Sequence, residues 1–158
     1  MGSKLVIAPV DRLQFKIVSA VRSLQGNGIY VSLDKDKKGI ENVLKRGKVD
    51  MKRLFFVDCV GSSGDEKSVV QVSPTRLDDV SCAIEAFVNE IPGKKFLVID
   101  ALAVLLIYNN ENEVASFVRK VVEFASERKV NVVAFSPKTK GEELLNKIFG
   151  AFDEVVGK

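Results

Sequence analysis

Apolar runs rich in β-branched and aromatic residues alternate along this chain with stretches whose apolar residues recur every 3.6 positions or so, which leaves few folds open. Lys4 to Ala8, Ile29 to Leu33, Leu54 to Val60, Phe96 to Asp100 and Val130 to Phe135 read as strands buried on both faces. Between them, helical spacing sets Leu13, Ile17, Val21 and Leu24 on one face, then Val80, Ala83, Ile84, Phe87 and Val88 on another. Val114, Phe117, Val118, Val121 and Val122 form a third such face, and Leu144, Leu145 and Ile148 a fourth. Strands without a polar face need cover on both sides. The pattern therefore predicts a three-layer α/β fold, with a mostly parallel central sheet between helices. Phe96 to Asp100, the most apolar run, is expected at its centre, while Ser68 to Val72 and Glu154 to Val156 are expected as short marginal strands.

Local signals place the helix ends. Asp11 is the expected N-cap of the first helix, with Gln14 three residues on in a capping-box arrangement, and the helix stops near Gly26-Asn27-Gly28. A short second helix ends near Arg46-Gly47, Ser73-Pro74-Thr75 opens a third, and the turn formers from Gly61 to Lys67 mark an exposed loop. At 158 residues, one domain spanning 1–158 is expected, large enough to bury roughly two-thirds of its unfolded surface. The leading Met-Gly-Ser is short enough to be vector-derived.

Composition narrows the functional classes. A net charge of +3 provides no global field that would demand nucleic acid or a membrane. The longest apolar stretch, Phe96 to Tyr108, is broken by Asp100 and falls short of the roughly 20 residues that cross a bilayer. With no secretory pattern at the N-terminus, the chain reads as cytoplasmic, with no membrane partner. It has 2 cysteines and no histidine, which excludes a His-containing metal site, a Ser-His-Asp triad and a Cys-His pair. Cys59 and Cys82 are expected as two buried free thiols.

Candidate chemistry collects at strand ends. Asp100 closes the Phe96-Leu97-Val98-Ile99 run and is followed by Ala101-Leu102. A carboxylate beyond the carboxyl end of a central strand can hold a hydrated Mg²⁺ or orient a water, or it can cap the next turn through backbone N–H groups. Asp58 at the end of the third strand poses the same choice and is expected to be structural. Gly28 to Asp34 likewise runs a strand into an acidic residue.

The order of these pieces, from residue 4 to about 136, resembles the RecA-like ATPases and especially their KaiC-like branch. Phe96 to Asp100 sits at the Walker B position of that family. The resemblance implies a RecA-like fold, assembly with a protein partner or with copies of itself, and a nucleotide site at Lys16, Asp34 and Asp100. One departure cuts against that site. The junction Ala8-Pro9-Val10-Asp11-Arg12-Leu13-Gln14-Phe15-Lys16-Ile17 stands where the phosphate loop belongs, and no glycine occurs between Gly2 and Gly26. With Lys16 at the Walker lysine, glycines are required at Val10 and Phe15 and a hydroxyl at Ile17. All three are missing, and Val10 and Phe15 are expected to fill space that phosphates need.

The sequence reading is thus a catalytically inactive RecA/KaiC-like domain acting as a regulatory or protein-interaction module, with no cofactor expected. One alternative is an ATPase with an unconventional phosphate loop, binding ATP and Mg²⁺ through Lys16, Asp34 and Asp100. Another is a salt-sensitive nucleic-acid-binding domain that uses Lys37, Lys38, Lys45, Arg46 and Lys48. No aromatic residue lies between Lys35 and Arg53 to supply a base-stacking platform for it.

Overall fold

The computed structural model of the chain describes residues 2–61, 67–138 and 141–157. Most of the expected loop at 61–67 lies outside these residues. Seven strands form one sheet: β1 (Ser3–Ala8), β2 (Asn27–Ser32), β3 (Leu54–Asp58), β4 (Val69–Gln71), β5 (Lys95–Ile99), β6 (Asn131–Pro137) and β7 (Glu154–Val156). Their spatial order is β4-β3-β2-β5-β6-β1-β7, and every pairing is parallel. The most apolar strand, β5, is fourth of the seven and so central, with β4 and β7 at the margins.

Side chains alternate across the sheet as the pleat requires. Phe96 and Val98 of β5 join Tyr30, Phe56 and Phe135 in a core covered by α1 (Val10–Ser23) and α2 (Lys37–Arg46). Leu97 and Ile99, with Ile29, Val31 and Ala134, face the opposite way. There they meet α3 (Leu77–Glu90), α4 (Glu111–Glu127) and α5 (Glu142–Ile148) through the apolar faces expected from their spacing. The layering is three-deep, helices on both faces of a parallel sheet. Gly28 is fitted tightly into it, since a Cβ there would meet the Phe96 ring at 2.3 Å. Among the described residues no helix is long and apolar enough to cross a membrane.

Several local expectations are corrected. Asp11 is not the cap of α1: the helix starts two residues earlier than that cap implies, at Val10, and Pro9 is its N-cap, with no side-chain cap bond. Proline holds φ near the required value by its ring (−56° here), and the Arg12 N–H closes the first turn on the Pro9 carbonyl at 2.9 Å. Helix α1 ends at Ser23, and Asn27 and Gly28 already belong to β2. Residues 73–75 form a side-chain-bonded turn (Thr75 N to Ser73 Oγ, 3.2 Å), and α3 begins after Arg76. Beyond Asp100 the apolar run turns into a 3-10 helix, Leu102–Ile107. Cys59 is buried as expected, whereas Cys82 lies exposed on α3. Burial, with the negative charges of Asp58 and Asp100, pushes the Cys59 thiol up to about 12.

Gly2 and Ser3 are built into the sheet. The Gly2 N–H donates to Asn131 Oδ1 (2.9 Å), the Ser3 N–H to Asp153 Oδ2 (3.0 Å), and the Asp153 N–H to Ser3 Oγ (2.9 Å).

Candidate functional site

The carboxyl ends of β1, β2, β5 and β6 open onto one groove of about 550 Å³. Several segments line it, among them Ile40 of α2, Pro137 at the end of β6 and Gly141 before α5. Helix α1 contributes Val10, Leu13, Gln14 and Ile17, and the stretch after β2 contributes Asp34 and Lys35. Asp100 and Ala101 follow β5, and the 3-10 helix beyond them adds Ala103, Val104, Leu106 and Ile107. Two other hollows of similar volume are lined mainly by polar and charged side chains, such as Arg119, Glu123 and Asp153 in one and Arg76, Asp78 and Lys120 in the other. The sheet-edge groove is the apolar one. Its rim leaves large hydrophobic side chains in solvent, with Val10 63% and Ile107 73% exposed.

The junction that opens the groove is short. Only Pro9 separates β1 from α1, and proline has no backbone N–H. Val10 lines the groove at its exposed rim. Phe15, expected there too, points instead to the outer side of α1, 64% exposed, beside Arg22, Val43 and Arg46. At about 100° per residue, Val10, Leu13, Gln14 and Ile17 share one face of α1, and Phe15 and Lys16 fall outside it. Lys16 is exposed and lines no part of the groove.

Asp100 is 3% exposed. Its Oδ2 accepts a hydrogen bond from the Tyr30 hydroxyl at 3.1 Å, and its Oδ1 accepts one from the Leu33 N–H at 2.8 Å. The expected cap of its own following turn is absent; the carboxylate instead ties down the backbone leaving the neighbouring strand β2. Burial pushes its pKa up to about 7, and the negative charge of Asp34 also raises it, against the lowering by those two hydrogen bonds and by the Asp34 N–H. Burial first, and then the Asp100 charge, hold the Tyr30 phenol well above its usual range. Asp34, the third expected nucleotide contact, is exposed and pairs with Lys35 at 3.0 Å. Thus Asp34 and Asp100 share the groove, and Lys16 does not.

Asp58 is buried and structural, as expected. Its Oδ1 accepts from the N–H groups of Val60 and Gly61 (2.9 and 2.8 Å), and its Oδ2 accepts from the Lys37 N–H at the start of α2 (3.1 Å). Of the candidate nucleic-acid contacts, Lys37 and Lys45 lie on either side of Glu41, at 2.9 and 3.2 Å. The hydrogen bond from Lys37 holds the Glu41 carboxyl below its usual range. Lys38, Arg46 and Lys48 are exposed along α2 and the turn after it. Among the described residues no group of three or more Cys, Asp or Glu side chains converges as a metal site requires.

The groove-lining residues of the 3-10 helix were not singled out by their spacing. Leu102 and Leu105 are fully buried while Ile107 is exposed, a mixture that a continuous apolar run conceals.

No protein-family model matches the chain, and no curated protein matches it in sequence. Solved structures do match in fold. A KaiC-like protein from the hyperthermophilic archaeon Pyrococcus horikoshii superposes with a TM-score of 0.62 at 13% identity, covering 90% of this chain and 67% of its own. An uncharacterized protein of the same organism, solved in complex with an unknown peptide, gives a TM-score of 0.65 at 14% identity, covering 98% of this chain and 76% of its own. With the parallel seven-stranded sheet between its two helical layers, the chain has the KaiC-like, RecA-type α/β fold.

Proposed function

We propose that this RecA/KaiC-like domain has lost the phosphate loop and its ATPase activity, and works as a protein-interaction module that receives a segment of a partner protein in the groove at the carboxyl edge of its sheet. The observation that carries this reading is the junction from β1 to α1. A phosphate chain needs several backbone N–H groups converging on it. Here one proline makes the connection, the following N–H groups run straight into helix α1, and Asp11 adds a negative charge to its first turn. The residues that would serve Mg²⁺ fit no better: Asp100 is buried under two hydrogen bonds, and Ile17 has no oxygen to offer.

The groove itself suits a different occupant. Apolar side chains exposed together on a rim mark sites of association, and Val10 and Ile107 flank this one. The likeness in fold to an uncharacterized protein solved in complex with an unknown peptide supports the same reading. Calorimetric titration with Mg-ATP is the direct check on the lost nucleotide site. No heat of binding is expected up to millimolar nucleotide; tight binding that disappears in Asp100→Ala would overturn the reading in favour of an ATPase.

A further inference from the structure

We propose that the segment seated in the groove is amphipathic and basic, with a Lys or Arg side chain reaching Asp100 while its apolar neighbours lie against Val10, Leu13, Val104 and Ile107. The inference rests on the protein-interaction reading above and names the chemistry of the partner.

Most of the side chains that line the groove are apolar. Three charged side chains line it: Asp34, Lys35 and Asp100. Lys35 is taken by Asp34 at 3.0 Å. That leaves one lining carboxylate without a cation, the buried Asp100. Asp100 receives hydrogen bonds from the Tyr30 hydroxyl and the Leu33 N–H, with the Asp34 N–H a further donor to it, and all three are neutral groups. A carboxylate has about four lone-pair sites, which leaves room for one incoming donor. No ion pair to Asp100 occurs among the described residues, and Asp34 adds to the negative potential there.

The choice among occupants follows from what each does to that carboxylate. A wholly apolar segment would seal Asp100 further from water with nothing in exchange. An acidic one would set a third carboxylate beside Asp34 and Asp100. An ammonium or guanidinium supplies the missing cation, makes a charge-assisted bond in a water-poor pocket, and offsets the burial that now disfavours the ionised acid. Lys and Arg also have long apolar stems, which suit a charged tip lodged in an apolar groove.

The test is selection of short random peptides displayed on phage against the folded chain, followed by affinity measurement of the enriched peptides. Enriched sequences are expected to place Lys or Arg among apolar residues. They should lose binding to Ile107→Asp, an exposed position whose change leaves the core alone. Losing a hydrogen bond to a charged group should weaken affinity about tenfold or more, both in Asp100→Asn and when Gln replaces the peptide's basic residue. The peptide-side change reads the same contact even if Asp100→Asn fails to fold. Apolar peptides without a basic residue, or basic ones indifferent to both changes, overturn the inference and leave the interaction module standing. Failure to enrich any peptide, or enriched peptides that bind Ile107→Asp as well as the parent chain, would instead overturn the groove reading and this inference with it.

Discussion

Asp100 shows how one residue type at one position serves two chemistries. A carboxylate at the carboxyl end of a central strand can hold a hydrated metal ion, yet the Asp100 carboxylate is enclosed by Tyr30 and the Leu33 N–H. The position of Asp100 was legible in the sequence. Its enclosure was not, because Tyr30 lies 70 residues away and meets it only once β2 and β5 pair. Enclosure has a consequence for stability. The folded pKa of about 7 lies above the usual 3.8, so between those values the folded chain holds this proton and the unfolded chain does not. The stability it contributes is complete below about pH 4 and is lost as pH rises through 7. At about 1.4 kcal/mol per unit of pKa, the loss by pH 8 is on the order of a few kcal/mol. Asn cannot ionise and can keep an acceptor for Leu33. In urea titrations Asp100→Asn should flatten the fall in stability between about pH 5 and pH 8, gaining on the parent chain at the alkaline end. An unchanged slope would mean that Asp100 ionises freely in the fold.

At the scale of elements, caps decide where helices begin, and they do so by more than one route. Helix α4 has a full capping box: the Glu113 N–H donates to Asn110 Oδ1 at 2.8 Å, and the Asn110 N–H donates to Glu113 Oε1 at 3.0 Å. Replacing Asn110 by Ala should cost about 1 kcal/mol, measured by urea denaturation, while Asn110→Asp should keep most of it because its carboxylate still accepts from Glu113. Helix α1 has no such box, since Pro9 sets the geometry through its ring. Strand cores and helical faces were legible because burial forces their periodicity. The start of α1 was misplaced because Asp11 and Gln14 have the residue types of a capping box but fall inside the first turn. The 3-10 helix after Asp100 escaped notice because its residues are apolar throughout, and the chain's path alone decides which of them face solvent.

For the whole molecule, the groove could not be read from any one segment, since α1, the exit from β2 and the 3-10 helix reach it from positions as far apart as Val10 and Ile107. What the sequence did disclose is the sheet that holds these pieces together, and it bears on how the chain unfolds. Two cores flank that sheet, one under α1 and α2 and the other under α3, α4 and α5. Neither can form alone, because β5 supplies Phe96 and Val98 to one core and Leu97 and Ile99 to the other. Loss of either helical layer would bare one face of the central strands to water. The two cores should therefore melt in one cooperative transition, as a single domain, with calorimetric and van't Hoff enthalpies that agree. Neighbouring substitutions on opposite faces make the point sharper. Leu97→Ala should cost about 2–5 kcal/mol and Phe96→Ala about 3–5 kcal/mol by emptying the two cores separately, and each should lower the same single transition. Two resolved transitions, with each variant moving a different one, would show instead that the layers are independent folding units sharing a strand only in the native state.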